Sequence, residues 1–359
     1  MIQLRQSLPD GPLDLIGDVH GEYDALRALV HHLGGDLEAG RVARPLVFVG
    51  DLVDRGPDSV AVLRAYRRLA EDGLAYCVLG NHELNLLRGE KKEGNGWFRG
   101  AADDGFQYKN AGETTHVQFK SFAASEQDRA WITPLIASLP IALEREDLRV
   151  VHAAWIDDAF ERLGAIGHAG DLAKKYDDEN DEVLRETKET ADDERNDFEN
   201  LESLSAKPTR FLHNVAKFEV RKQNDNPIRV LTSGPERALE HIDDVDYLGG
   251  KWRFVRREAW WATYNHGAAV VVGHYWRSRL HKAGHEARGW PAVSASHWIG
   301  EPRRNVFCVD YSVGRRYRER HEGRTSGFHG GLAAMRWPER TLVFDDDPTP
   351  RVTQGFEQP

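Results

Sequence analysis

The sequence predicts an α/β fold built on a largely parallel sheet, and two observations predict it. Short apolar runs recur, each closed by glycine and a polar residue, and the first two are followed by apolar residues at helical spacing. Leu13-Asp14-Leu15-Ile16 ends at Gly17-Asp18, Pro45 to Val49 ends at Gly50-Asp51, and Ala75 to Leu79 ends at Gly80-Asn81. Runs of this kind suit strands buried on both faces. After Asp18, the residues Leu26, Leu29, Val30 and Leu33 share one helical face. After Asp51, Pro57 is placed to open a helix with Val60, Leu63 and Leu69 facing inward. Strand, loop and helix in repetition make βαβ units. Open sheets of this class bind ligands at the carboxyl ends of their strands, where these polar residues lie.

Further strands are expected at Arg149-Val150-Val151, Ala268 to Val272 and Val306 to Val309, with Leu332 to Trp337 and Thr341 to Phe344 completing a β-rich second half. The chain therefore divides into an N-terminal half of one domain (1–156), an insertion (157–264), the C-terminal half of that domain (265–345) and a tail (346–359) expected to be loosely ordered. Within the insertion, Tyr176 to Glu202 is crowded with acidic residues and nearly lacks aliphatic ones. It reads as a solvated helix, a loop or part of a cap. Lys251 to Tyr264 gathers Trp252, Phe254, Trp260, Trp261 and Tyr264 among basic residues. That cluster is either a small core fastening the insertion to the main domain or an aromatic, basic wall over a site.

Composition narrows the function classes. With 359 residues, 40% hydrophobic and 30% charged, a sizeable core and a solvated surface are both available. A formal net charge of -10 argues against general affinity for nucleic acid or an anionic membrane. The local basic patches at Arg303-Arg304 and Arg315-Arg316 to Arg320 form no sustained stripe. No apolar run is long enough to span a bilayer, and Met1 to Asp10 lacks a secretory pattern. Cys77 and Cys308 both fall in apolar runs, which predicts buried free thiols rather than a disulfide. A cytoplasmic location is the expectation, and nothing in the sequence specifies an oligomeric state.

The strand ends carry the chemistry. In order they read Gly17-Asp18-Val19-His20-Gly21, Gly50-Asp51-Leu52-Val53-Asp54-Arg55-Gly56, Gly80-Asn81-His82-Glu83, Val151-His152-Ala153 and Gly273-His274-Tyr275. Singly, an Asp after a strand is a turn former or helix cap. Five such ends bearing carboxylate, imidazole or amide are a ligand set. Oxygen and nitrogen donors without cysteine suit Mn²⁺, with Fe²⁺, Zn²⁺ or Ni²⁺ also accommodated. A shared carboxylate can bridge two such ions, which can acidify a water and clamp phosphoryl oxygens.

As a set, GDVHG, GDLVDRG, GNHE, VHAA and GHYW resemble the motifs of the calcineurin-like metallophosphoesterases, within them the phosphoprotein phosphatase branch. Order and approximate spacing both fit; the insertion from Asp157 to about Tyr264 is not covered. The resemblance implies an α/β/β/α metallophosphatase-type sandwich of two β-sheets flanked by helices, with the insertion as a cap-like segment. It implies one divalent metal on Asp18, His20 and Asp51, and a second on Asp51, Asn81, His152 and His274, with Asp51 bridging. His82 would be the general acid, Asp54 its hydrogen-bond partner, Arg55 the phosphate ligand, and Glu83 a brace. Cys308-Val309-Asp310-Tyr311-Ser312 is similar to the I-D-T-G segment of bacterial diadenosine-tetraphosphatase-like and polynucleotide-phosphatase-like members, so Asp310 either lies near the metals or simply forms a turn. Two departures stand out. Trp276 replaces the second His of the GH-x-H found in other branches, and His152-Ala153-Ala154 stands where protein phosphatases carry HGG.

The resemblance implies hydrolysis of phosphate monoesters, phosphoprotein or small metabolite, by hydroxide held on the metals. The alternative is cleavage of the anhydride in a dinucleoside polyphosphate, suggested by GDVHGEYDAL and the GPDS after Arg55. An inactive binding module on the same fold is disfavoured, because all six ligands and His82, Asp54 and Arg55 are present. The expected partner is a phosphorylated substrate, and a second phosphate-binding arginine is sought among Arg210, Arg229 and Arg253.

Overall fold

The computed structural model describes residues 4–100, 104–110, 113–164, 169–198, 207–248, 251–279 and 295–357. The three N-terminal apolar runs form the strands Leu13–Ile16, Leu46–Phe48 and Ala75–Cys77, paired in parallel. Three antiparallel strands extend that sheet beyond Leu13–Ile16: Ala333–Trp337, Thr341–Phe344 and Asp347–Val352. The second sheet runs in the order Arg5–Ser7, Ala142–Glu144, Leu148–Val151, Ala269–Val272 and Val306–Cys308. Its last three strands are parallel.

Strand alternation sorts the side chains into layers. Leu13, Leu15, Val47 and Val49 meet Val150, Val271, Phe307 and Val309 in one buried cluster between the sheets. Their neighbours Ile16, Phe48 and Cys77 turn the other way and pack with Leu26, Leu29, Val60 and Leu63 from the helices. The expected α/β/β/α arrangement follows directly. The helix Tyr23–His32 buries Ala25, Leu26, Leu29 and Val30. The helix Ser59–Glu71 starts two residues after Pro57, because Asp58 caps it by accepting from the Ala61 N–H at 2.8 Å. Cys77 and Cys308 are free and buried, as expected.

The tail departs from expectation. Asp347–Val352 is a strand hydrogen-bonded to Thr341–Phe344, and Gln354 bridges to His297. Phe356 packs beside Trp298, Trp337 and the face between the sheets, so the end of the chain is held by aromatic contacts rather than left loose. Gln358 and Pro359 lie outside the described residues.

In the insertion, the acidic stretch belongs to the helix Ala169–Asn196, with its last residues, 199–202, outside the described set. Leu172, Tyr176, Asn180, Val183, Thr187 and Ala191 are buried at steps of three and four, while the acidic residues cover the remaining faces. This helix packs on the helix His213–Asn224. The tryptophan-rich segment divides between two cores. Trp252 and Phe254 join Leu212, Val215, Ala216, Leu239 and Val245 in a small separate cluster. Trp260, Trp261 and Tyr264 enter the main core, where the Trp260 indole donates to the Tyr275 hydroxyl at 3.0 Å. They anchor the insertion and build no wall over the site. Among the described residues, no helix is long and apolar enough to cross a membrane.

Candidate metal centre

The carboxyl ends of the parallel strands in both sheets converge. The loops after Leu13–Ile16 and Leu46–Phe48 are tied together, since the Val19 and His20 N–H groups both donate to the Asp51 carbonyl, at 3.0 and 2.9 Å. The loop after Ala269–Val272 joins them through the His274 N–H, which donates to Asp18 Oδ2 at 3.1 Å. His20, Asp51, Asp54, Arg55 and His274 all hold positive φ, from 48° to 75°. Backbone strain in non-glycine residues at this density marks a site whose side-chain directions matter more than local comfort. Glycine makes the approach possible. A Cβ on Gly80 would collide with Asp51, and one on Gly273 would collide with the Asp18 carboxylate.

All nine residues expected at the centre are brought together, and Asp310 with them. His152 Nε2 lies 3.3 Å from Asp51 Oδ2 and 3.1 Å from Asn81 Oδ1. His274 Nδ1 lies 2.9 Å from the same Asn81 oxygen. His20 Nε2 stands 3.9 Å from both Asp18 Oδ2 and Asp51 Oδ2. Two groups of donor atoms, His20–Asp51–His82 and Asp51–His152–His274, each fall within 4.8 Å, with Asp51 common to both. Asp310 follows the strand Val306–Cys308; its Oδ1 accepts from the Ser312 N–H at 2.7 Å, and its Oδ2 is buried without a hydrogen-bond partner among the described residues.

The donors are prepared for cations. His20 Nδ1 donates to the Val53 carbonyl at 3.0 Å and His152 Nδ1 to the Val49 carbonyl at 2.7 Å, which leaves Nε2 as the lone-pair atom in each ring. Burial, with Arg55 and His82 adding to it for His20, lowers the pKa of His20 and of His274 well below the ordinary value. Burial and the charges of Asp310 and Asp51 raise Asp18 well above its own. Burial opposes ionisation of Asp51, but the imidazoles of His152, His82 and His20 outweigh it and hold its carboxyl well below the usual range. Burial likewise raises Asp310, to about 6. The low-pKa imidazoles of His20 and His274 beside crowded buried carboxyls, one with an oxygen orphaned among the described residues, fit divalent cations. Against burial, the Asp51 charge raises His152 and marks where a cation would take the proton's place.

Around this cluster the supporting contacts are specific. Glu83 accepts from Asp51 N at 2.8 Å, Leu52 N at 2.7 Å and Gly80 N at 3.1 Å, bracing two loops from one carboxyl. Burial and the Asp51 charge push that carboxyl up to about 7. His82 Nδ1 meets Asp54 Oδ2 at 2.6 Å. The Arg55 guanidinium donates to His20 Nε2 and His82 Nε2, both at 3.0 Å, and packs 4.9 Å from the ring of Trp276, which is 44% exposed. Sequence reasoning missed Trp97, whose buried indole donates to Asp54 Oδ1 at 2.7 Å. Only the glycines and Asn95 just before it signalled a turn returning to the site. A cavity of about 710 Å³ reaches Arg55, with Pro57, His116 and Tyr317 on its walls. The basic run at Arg315–Arg316 is partly structural: Arg316 is buried against Asp345 at 2.8 Å.

The model of the calcineurin-like phosphoesterases matches residues 11–313. The chain belongs to this family. Membership implies a pair of divalent metals. Among curated relatives, a bis(5'-nucleosyl)-tetraphosphatase PrpE [asymmetrical] of Oceanobacillus iheyensis is 32% identical over 147 residues, covering 39% of this chain and 54% of that protein. The counterpart of Halalkalibacterium halodurans is 33% identical over 168 residues, covering 42% and 60%. The chain thus spans little more than half the length of these relatives. A cold-active protein-tyrosine phosphatase from a psychrophilic Shewanella aligns over 98% of this chain and 84% of its own, at 15% identity and a TM-score of 0.45.

Proposed function

We propose that this family member hydrolyses phosphate monoesters, with His82 protonating the leaving oxygen. The observation that carries the reading is the buried Trp97–Asp54–His82 relay, whose far end, His82 Nε2, meets Arg55 at 3.0 Å and lies 3.9 Å from Asp51 Oδ2. Asp18, His20 and Asp51 would hold one cation; Asp51, Asn81, His152 and His274 the other, with Asp310 close by. When bound, the cations acidify water and neutralise phosphoryl charge, and Mn²⁺ suits the donor set. Asp54 holds His82 Nδ1 and aims the ring, and Nε2 would carry the proton for the leaving oxygen once Arg55 turns from that nitrogen to the phosphate. Arg55 offers a forked pair of N–H donors to non-bridging phosphate oxygens, with Trp276 flanking its guanidinium. Burial of the carboxylates keeps bulk water from competing with these contacts.

A proton donor matters most when the leaving group is a basic alkoxide, which favours monoesters. The second reading, hydrolysis of a dinucleoside polyphosphate anhydride, is supported by the names of the PrpE relatives and by the cavity of about 710 Å³ at Arg55, roomy enough for a nucleoside. One panel separates the two. Manganese-loaded protein is given para-nitrophenyl phosphate, a phosphoserine peptide and diadenosine tetraphosphate. Higher kcat/KM on either monoester supports the first reading; a large preference for the dinucleotide replaces it with the second; no turnover of any refutes both.

A further inference from the structure

A second cavity, of about 370 Å³, opens beside Asn81, between the helix Asn81–Leu87, the long acidic helix and the helix Pro227–Ser233. Its size is that of a small-ligand site. Four bases line it, Arg88, Lys92, Lys222 and Arg229, against three acids, Glu90, Asp177 and Asp181. The acids do not serve the bases equally. Arg88 is engaged by Asp177 at 2.6 Å and Glu90 at 3.3 Å, and Lys92 by Glu90 at 3.2 Å. Lys222 and Arg229 form no ion pair with a carboxylate among the described residues.

Instead, Arg229 donates Nε to Asn180 Oδ1 at 3.0 Å and lies 4.8 Å from the Tyr176 ring, on which Arg88 also packs, at 4.0 Å. These contacts fix the guanidinium without neutralising it. Lys222 faces Arg229, Lys251, Lys92 and Arg195; burial and these like charges lower its pKa. Glu90 and Glu236 act on these cations only through space, and two half-buried cations without a direct carboxylate contact among the described residues favour an anion that joins them. The insertion supplies both of them, and Asn81 connects the cavity to the strand-end cluster.

We propose that this cavity is a second anion subsite, in which Lys222 and Arg229 bind the further phosphate groups of a multiply phosphorylated substrate, beyond the one that reacts. The assignment rests on the reading above that Asn81 belongs to the metal centre. It would make the insertion the part of the chain that selects substrate length. Of the arginines considered for a second phosphate contact, Arg229 takes the role; Arg210 is instead paired with Asp197 and Glu194 in the insertion.

Calorimetric titration of manganese-loaded protein with tripolyphosphate and with orthophosphate tests it. Free manganese is held constant, so chelation of the probe cancels in each variant-to-wild-type ratio. Tripolyphosphate should bind roughly tenfold tighter than orthophosphate. Lys222→Gln and Arg229→Gln should each weaken tripolyphosphate about fivefold or more and orthophosphate less than about twofold, while Lys222→Arg keeps the preference. Equal weakening of both anions, no weakening, or loss of preference in Lys222→Arg as well overturns the subsite. Hydrolysis of para-nitrophenyl phosphate by the same wild-type sample reports separately on the proposed function. Tripolyphosphate preference without hydrolysis supports the subsite and refutes the hydrolytic reading.

Discussion

Trp97 and His82 share Asp54: the indole N–H donates to Oδ1 at 2.7 Å while the imidazole holds Oδ2 at 2.6 Å. Trp97 therefore sets the plane of the carboxylate that aims the proposed acid. Trp97→Phe, which keeps an aromatic ring but loses the fused pyrrole with its N–H, should lower kcat on alkyl phosphates about fivefold, equivalent to about 1 kcal/mol, with metal content unchanged. Steady-state kinetics beside metal analysis decide it; an unchanged kcat would mean His82 alone orients Asp54.

His82→Asn should discriminate between leaving groups. Alkyl phosphates should slow by roughly 100-fold or more, and para-nitrophenyl phosphate far less, because its leaving oxygen needs little protonation. A plot of log kcat against leaving-group pKa should become steeper in the variant. Parallel lines for variant and wild type would remove the acid role.

Asp51→Asn should reduce activity on every substrate by roughly 100- to 1000-fold or more and lower the bound manganese per chain. Asp51 is the one residue common to both donor groups, so neither cation should hold normally. Full manganese occupancy with full activity would show that the bridge is elsewhere.

Acid stability should depend on Asp128, far from the centre. The hydroxyl of Ser125 foremost, and then the Arg64 guanidinium, hold its carboxyl at about 2, below its usual 3.8. A depressed folded value contributes stability that is complete above the unfolded value and fades as pH falls from 3.8 toward 2. Asp128→Asn, at the start of the helix Glu126–Ala137, should cost about 1 kcal/mol at neutral pH. The Tm gap between variant and wild type should narrow between pH 5 and the acid limit of the wild type, by roughly half or more at pH 3. A constant gap would exclude the charge as the cause.

Much of the centre was legible because its donors sit at the ends of apolar runs, where pattern and chemistry coincide. Asp18, Asp51, Asn81, His152 and His274 each follow such a run. The acidic helix was harder to read, since its buried stripe passes through Asn180 and Thr187, which count as polar in any apolar periodicity. Trp97 carried no periodic signal; only the fold brings it to Asp54, 43 positions away. The strand Asp347–Val352 hid for another reason. Its two prolines, Pro348 and Pro350, read as strand breakers, yet at the edge of a sheet a missing N–H faces solvent and costs nothing to the ladder.

The insertion keeps a hydrophobic nucleus of its own, built on Leu212, Val215, Trp252 and Phe254 and distinct from the two clusters of the sandwich. Replacements inside it would alter the packing of that segment and leave the two clusters of the sandwich untouched. If the proposed subsite sets selectivity, it can thus diverge at little risk to the chemistry beneath.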